Sequence, residues 1–189
     1  MADPAGPEPT SDPTTAVPKR LVAYLLDVLP FAVWAWVLGA IARPASNAPV
    51  PEWHHDGVRV WIATLVTMSL PTWLYFALCD SSAAGATVGK RLLGLRVETS
   101  DGARVSRGRA FVRTAVKLLP WEIAHASMFL PTPIADAGEA GFARPGFMLS
   151  VLLTGSWLVT VLLTKDHAAV HDLFARTRVV PAPRGSSSG

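Results

Sequence analysis

Four apolar windows constrain this chain more than any other feature: residues 21–42, 60–79, 110–130 and 147–164. Each reaches or approaches the roughly 20 residues that a helix needs to cross the hydrocarbon core of a bilayer. The second and fourth hold no charged residue at all, whereas a soluble core helix of that length carries a polar face. The first contains one acid, Asp27, and the third holds Arg113, Lys117, Glu122 and His125 around Pro120. Composition agrees: half of the 189 residues are hydrophobic and mean hydropathy is +0.33. Charged residues make up only 16%, against about 25% in an average soluble domain. The sequence predicts an all-α membrane protein built as a four-helix transmembrane bundle.

Charge placement orients it. With four crossings and an inward amino terminus, 14 of the 17 Lys and Arg residues fall on the cytoplasmic side, leaving Arg43, Arg59 and Arg144 outside. If the third window only lies on the surface, the division weakens to 11 against 6. Four crossings fit better, giving a multi-pass protein of the cell membrane with both termini cytoplasmic. Arg113 and Lys117 are then expected in the inner part of the third helix, their long stems reaching back to the headgroups. A cleavable signal peptide is a second use for the first window, since Lys19 and Arg20 precede it and Ala40–Ala42 closes it. Its length and Asp27 argue against cleavage. Residues 1–18 and 182–189 are polar and rich in Pro, Gly or Ser, so they read as disordered tails around a membrane domain over 19–181. The single cysteine, Cys79, leaves no intramolecular disulfide.

Between the second and third windows, Leu93, Leu95 and Val97 alternate with Gly94, Arg96 and Glu98, and Asp101-Gly102 is a strong turn signal. This predicts a small cytoplasmic β-hairpin. A lone hairpin is marginal in water, so Thr177–Val180 is expected to add a further strand, and proline at Val179 should harm it more than proline at Ala182. "GATVGK" falls one residue short of a phosphate-binding loop and is followed by Arg91, so no NTPase is read. Beside two spans, the basic run from Lys90 to Arg113 suits anionic headgroups better than nucleic acid. His167 and His171 stand four apart but lack an evident third ligand; a structural or pH-modulating role is favoured over a metal site. His54, His55 and Asp56 read as a solvated outer loop. With no nucleophile–base pair or closed metal constellation, neither an enzyme nor a cofactor is expected.

Three blocks, "KRLVAYLLD", "GATVGKRLLGLRVETSDGARVSRGRAFVR" and "AVHDLFARTRVV", resemble the RDD family of bacterial membrane proteins, over most of Pro18 to Pro181. That family is named for an arginine at the start of the first span, an aspartate within it and a second aspartate. Arg20 and Asp27 match the first two, and Asp172 is carried as the third in preference to Asp80 or Asp166. The resemblance also marks Gly89, Lys90, Arg91, Gly94, Asp101, Gly102, His171 and Thr177 as structural positions. Members commonly have Gly before the Thr, where this chain has Arg176. The resemblance implies an integral membrane protein with a suggested role in transport, sodium/proton antiport having been proposed for some members.

Arg20 and Asp27 are seven residues apart, so on one helix Asp27 lies about 10 Å deeper and each should look to another segment. Two readings stay open. In one, Arg20, Asp27 and Asp172 belong to a pathway for a small ion or solute, with Asp27 in a water-filled cavity. In the other, Asp27 is locked by hydrogen bonds to Thr64, Thr67 or Ser69 while Arg20 holds Asp172 and the tail, as in a scaffold or assembly partner without transport. The expected partners are the lipid bilayer and either another membrane protein or a second copy of the chain.

Overall fold

Backbone groups in an apolar medium can satisfy only one another, so the apolar windows wind into long helices. The computed structural model describes residues 16–42, 52–130, 133, 144–164 and 167–183. The first window forms α1 (Ala16–Ala42). A 3₁₀ turn (Glu52–His55) leads into the second, which runs as α2 (Gly57–Thr64), a π-helical turn (Leu65–Ser69) and α3 (Leu70–Asp80). Asp56 caps α2, its carboxylate accepting from the Val58 and Arg59 amides at 3.1 Å. The π turn has a cause in Pro71, which has no N–H to offer the carbonyl four residues back. That carbonyl, Thr67 O, accepts instead from Trp34 Nε1 of α1 at 3.0 Å.

After the short helix α4 (Val88–Leu92) come β1 (Leu95–Thr99) and the long α5 (Arg107–Phe129), capped by Ser106. Next are α6 (Pro145–Leu163), α7 (Val170–Ala175) and β2 (Thr177–Pro181). α5 packs against both α3 and α6, while α4 rests on α1 and α7 on α5.

Three helical stretches are long and apolar enough to cross a membrane: Val17–Ile41, Gly57–Asp80 and Pro145–Leu163. The third window is helical over nearly its predicted extent, but its ionisable residues keep α5 out of that set. Its faces are reversed relative to a soluble helix. Arg113 and Thr114 are buried, and Phe111, Val112, Leu119 and Trp121 point outward.

The β structure differs from the predicted hairpin. β1 pairs antiparallel with β2, from Leu95 opposite Pro181 to Thr99 opposite Thr177, so the tail is the partner strand itself, over the expected Thr177–Val180 and one residue more. Asp101-Gly102 does make a turn, with Gly102 at φ +84° and the Thr99 amide donating to Ala103 O at 2.9 Å. Beyond it the chain leaves the sheet. Val105 is pulled into a small apolar core with Val97 and Ala110, against which Val179 packs, and Ser106 starts α5.

The register also corrects the proline expectation. Ala182 N donates to Gly94 O at 2.7 Å and Ser100 N to Arg176 O at 3.1 Å, so by alternation it is Val180 and Arg178 whose amides face β1. Val97 N turns the other way, to Gly85 O at 2.7 Å. Val179 is therefore a poor site for the test, and Ala182 is itself a ladder donor. Of the tail predicted over 1–18, residues 16–18 already belong to α1; residues 1–15 and 184–189 lie outside the described residues.

Candidate functional site

The described charges that lie deepest gather where α1 begins, α3 ends and α5 begins. Asp80, the last residue of α3, and Asp172, in the first turn of α7, are fully buried with Arg113 between them. Arg113 Nη1 donates to Asp80 Oδ2 at 2.5 Å, while its Nε and Nη2 donate to Asp172 Oδ1 at 2.9 and 2.8 Å. Lys90 Nζ reaches Asp80 Oδ1 at 2.5 Å, and Arg20 Nη2 reaches Asp172 Oδ2 at 2.5 Å. Arg20 also donates to the carbonyl of His167 at 2.6 Å. The result is an alternating chain, Arg20–Asp172–Arg113–Asp80–Lys90, that ties together α1, α7, α5, α3 and α4.

Smaller donors complete it. Asp172 Oδ2 accepts from the Ala169 amide and Oδ1 from the Thr177 hydroxyl, both at 3.3 Å, which fixes the start of α7 and the first residue of β2. Burial alone would raise the Asp172 carboxyl, but the guanidinium groups of Arg113 and Arg20 hold it well below the usual carboxylate range. Burial pulls the Lys90 ammonium down from its ordinary value, against the opposing pull of Asp80. His171 is driven by burial to about 3 and is neutral at physiological pH; its Nε2 lies 3.9 Å from Asp172 Oδ2.

Asp27 sits one step aside, only 2% exposed. Its Oδ1 accepts from the Tyr75 hydroxyl at 2.7 Å and the Gly89 amide at 2.8 Å, and its Oδ2 from the Thr87 hydroxyl at 2.5 Å. Tyr75 Oη in turn accepts from the Val88 amide at 3.0 Å, so the start of α4 is pinned to α1 and α3 together. Gly89 is required for that approach, because a Cβ would collide with the Ala23 carbonyl of α1.

The three residues singled out from the sequence thus come together at one end of the bundle; Arg20 holds Asp172 as expected, whereas Asp27 has partners other than those expected. Thr64 and Thr67 donate to carbonyls of their own helix, and Ser69 donates to Glu122 Oε2 at 2.9 Å, joined there by Trp73 Nε1 at 3.0 Å. Asp27 is instead held by the segment that enters α4. Arg113 does not reach for headgroups; it is the hub of the ion-pair chain. Lys117 lies 3.3 Å from the centroid of the Phe76 ring and 4.9 Å from that of Tyr24. Asp80, passed over in favour of Asp172, belongs to the same chain. Its signal was its position at the end of the second window, one turn before a polar loop. Tyr75 and Thr87 carried no signal in the sequence.

Of the structural positions, Lys90 joins the ion-pair chain and Thr177 its edge, while Arg91 Nε donates to Ala86 O at 3.1 Å. Gly94 takes a left-handed conformation just before β1. The Asp101 carboxylate accepts from the Thr99 hydroxyl, which draws its pKa down. His167 and His171 share no site, and among the described residues no group of three or more His, Cys, Asp or Glu side chains is placed to hold a metal.

The family model described as the RDD family matches residues 14–176, which takes in α1 through α7 and ends at the turn before β2. Neither the curated proteins nor the solved structures contain a match.

Proposed function

This chain belongs to the RDD family of membrane proteins, and from that premise we propose that it is a multi-pass scaffold or assembly protein in which the charge chain locks the cytoplasmic segments onto four spans. The number of crossings rests on parity. β1 precedes α5 and β2 follows α6, yet the two strands pair, so α5 and α6 either both cross or both stay on one side. α6 is uncharged and apolar over 19 residues. The outward apolar face of α5 and the capture of Arg113, Lys117 and Glu122 inside the bundle support its crossing as well. Cytoplasmic termini follow from the concentration of Lys and Arg at the end that carries the sheet.

The observation that carries the scaffold reading is saturation. Asp80 and Asp172 are each held by two cationic side chains, and Asp27 by three donors, which leaves these acids engaged by the protein itself. Such a network fixes geometry. The reading includes no enzymatic activity and no cofactor, with a second membrane protein or another copy of the chain as partner and anionic lipid around the basic end.

A second reading, passage of a small ion or solute by way of Asp27, is favoured by one feature: its three hydrogen-bond donors are all uncharged, unlike those of Asp80 and Asp172. Flux assays separate the two. Wild-type proteoliposomes are expected to pass sodium, potassium, lithium and protons no faster than empty ones. In the same reading Asp27→Asn retains stability, while Asp27→Leu strands three donors and loses about 2–3 kcal/mol. Ion flux abolished by Asp27→Asn in a well-folded variant would establish transport in place of the scaffold.

A further inference from the structure

An open groove of about 310 Å³ lies between the first turn of α5 and α7, lined by Gly108, Arg109, Val112, Phe174, Ala175 and Arg176. We propose that this groove is a headgroup site for one anionic phospholipid of the cytoplasmic leaflet, an inference that rests on the multi-pass reading above and gives its lipid partner a place.

Three observations carry it. First, Arg109 and Arg176 line the groove and are exposed, and among the described residues neither guanidinium makes a direct hydrogen bond or ion pair, the Arg109 charge acting only at longer range on the Asp101 carboxylate. This contrasts with Arg20 and Arg113, whose guanidinium groups are used inside the protein. Two exposed guanidinium groups on one groove suit a phosphodiester, whose oxygens such groups can grip in pairs. Second, the charge is bordered by apolar surface. Phe174, which lines the groove, is 70% exposed and its neighbour Leu173 53%, and Val112 of α5 lines it as well. An inorganic anion has no use for that border, whereas a lipid presents phosphate and acyl chain together.

Third, the height is right. α6 ends at Leu163, 80% exposed, and α7 begins seven residues later, so the groove lies just past the end of a span. α4 repeats the pattern on its own flank, with Val88 and Leu92 outward beside the exposed Arg91. Two short helices that bury their charged partners inward and turn aliphatic or aromatic residues outward form a layer suited to the headgroup zone.

The test is thermal melting of the purified full-length protein in neutral detergent, with phosphatidylglycerol or phosphatidylcholine added. Phosphatidylglycerol is expected to raise the midpoint by roughly 5 °C more than phosphatidylcholine, with the difference shrinking as salt is added. The double variant Arg109→Gln/Arg176→Gln should lose that difference. Arg59→Gln, which removes one exposed charge in the first turn of α2, away from the groove, should keep it. Both substituted arginines are exposed, and the midpoint without lipid reports whether folding is intact; if the double variant melts lower, Arg109→Gln alone reads the same difference.

Retention of the full phosphatidylglycerol effect by an intact double variant would overturn the site. So would an equal shift from phosphatidylcholine, or from glycerol phosphate without acyl chains. None of these outcomes bears on ion flux, so the site and the scaffold reading can fail separately.

Discussion

At the scale of single residues, the most consequential side chain is Asp172. It receives two guanidinium groups, a hydroxyl and an amide, and so holds α1, α5, α7 and the start of β2 at one point. Breaking a buried pair by neutralising one member leaves the other charge uncompensated. Asp172→Asn is expected to cost about 3 kcal/mol in detergent unfolding, and adding Arg20→Gln to it should cost less than the sum of the two single changes. Strict additivity would show that the pair is not coupled. The neighbouring His171 supplies a pH dependence with a definite sign. Its ordinary pKa is 6.5 and burial takes it to about 3 in the folded protein, so between those values the unfolded chain binds a proton that the folded one does not. Stability is then complete above pH 6.5 and falls as pH drops through that window, by up to about 1.4 kcal/mol per unit. Asp172, held low, adds its own loss only below about its ordinary 3.8. Melting midpoints at pH 7.5 and 5 should therefore differ in the wild type, and the difference should largely vanish in His171→Gln. The same neighbourhood includes the position where the resemblance leads to an expectation of Gly before the Thr. Arg176 sits at φ +50°, a left-handed position closing α7, where the glycine common in relatives bears no Cβ strain.

At the scale of elements, what was legible in the sequence is what local chemistry determines. The long helices follow from apolar length and the Asp101-Gly102 turn from its own residues. What was not legible depends on contacts between distant segments. A DG turn between alternating residues normally folds back into a self-paired hairpin. Here Val105 goes to the core rather than to the ladder, and β2, about 80 residues on, takes the open edge. Asp27 likewise could be seen to need a partner, but nothing local could identify Tyr75 and Thr87. Since Val180 offers its amide to β1, Val180→Pro should remove a ladder bond and lower stability by about 2–3 kcal/mol. Val179→Pro, whose amide points away from β1, should cost less. Measured in parallel by detergent unfolding, equal losses at the two positions would contradict the register.

At the scale of the whole molecule, the charge pattern reads differently once the fold is known. The positive charges used to orient the chain fall into two groups: Arg20, Lys90 and Arg113 are sequestered in the lock, while Arg91, Arg109 and Arg176 remain exposed at the same end. Sequestered cations matched by carboxylates hold the helices together, and in the proposed topology the exposed ones would keep that end on the anionic side of the membrane. The proposed crossing by α5 is compatible with this arrangement because its polar groups meet other parts of the protein. The sheet then imposes a strict condition, since β1 and β2 must share one side of the membrane. A cysteine placed at Asp136, between α5 and α6, in a Cys79→Ala background should react with an impermeant thiol reagent added to intact cells. One placed at Ser187, after β2, should react only when the membrane is opened. If α5 stayed on the cytoplasmic face while α6 crossed, the labelling would be reversed and β2 would be separated from β1 by the bilayer. Labelling of position 187 from outside would therefore remove the four-span topology and the paired strands in one measurement.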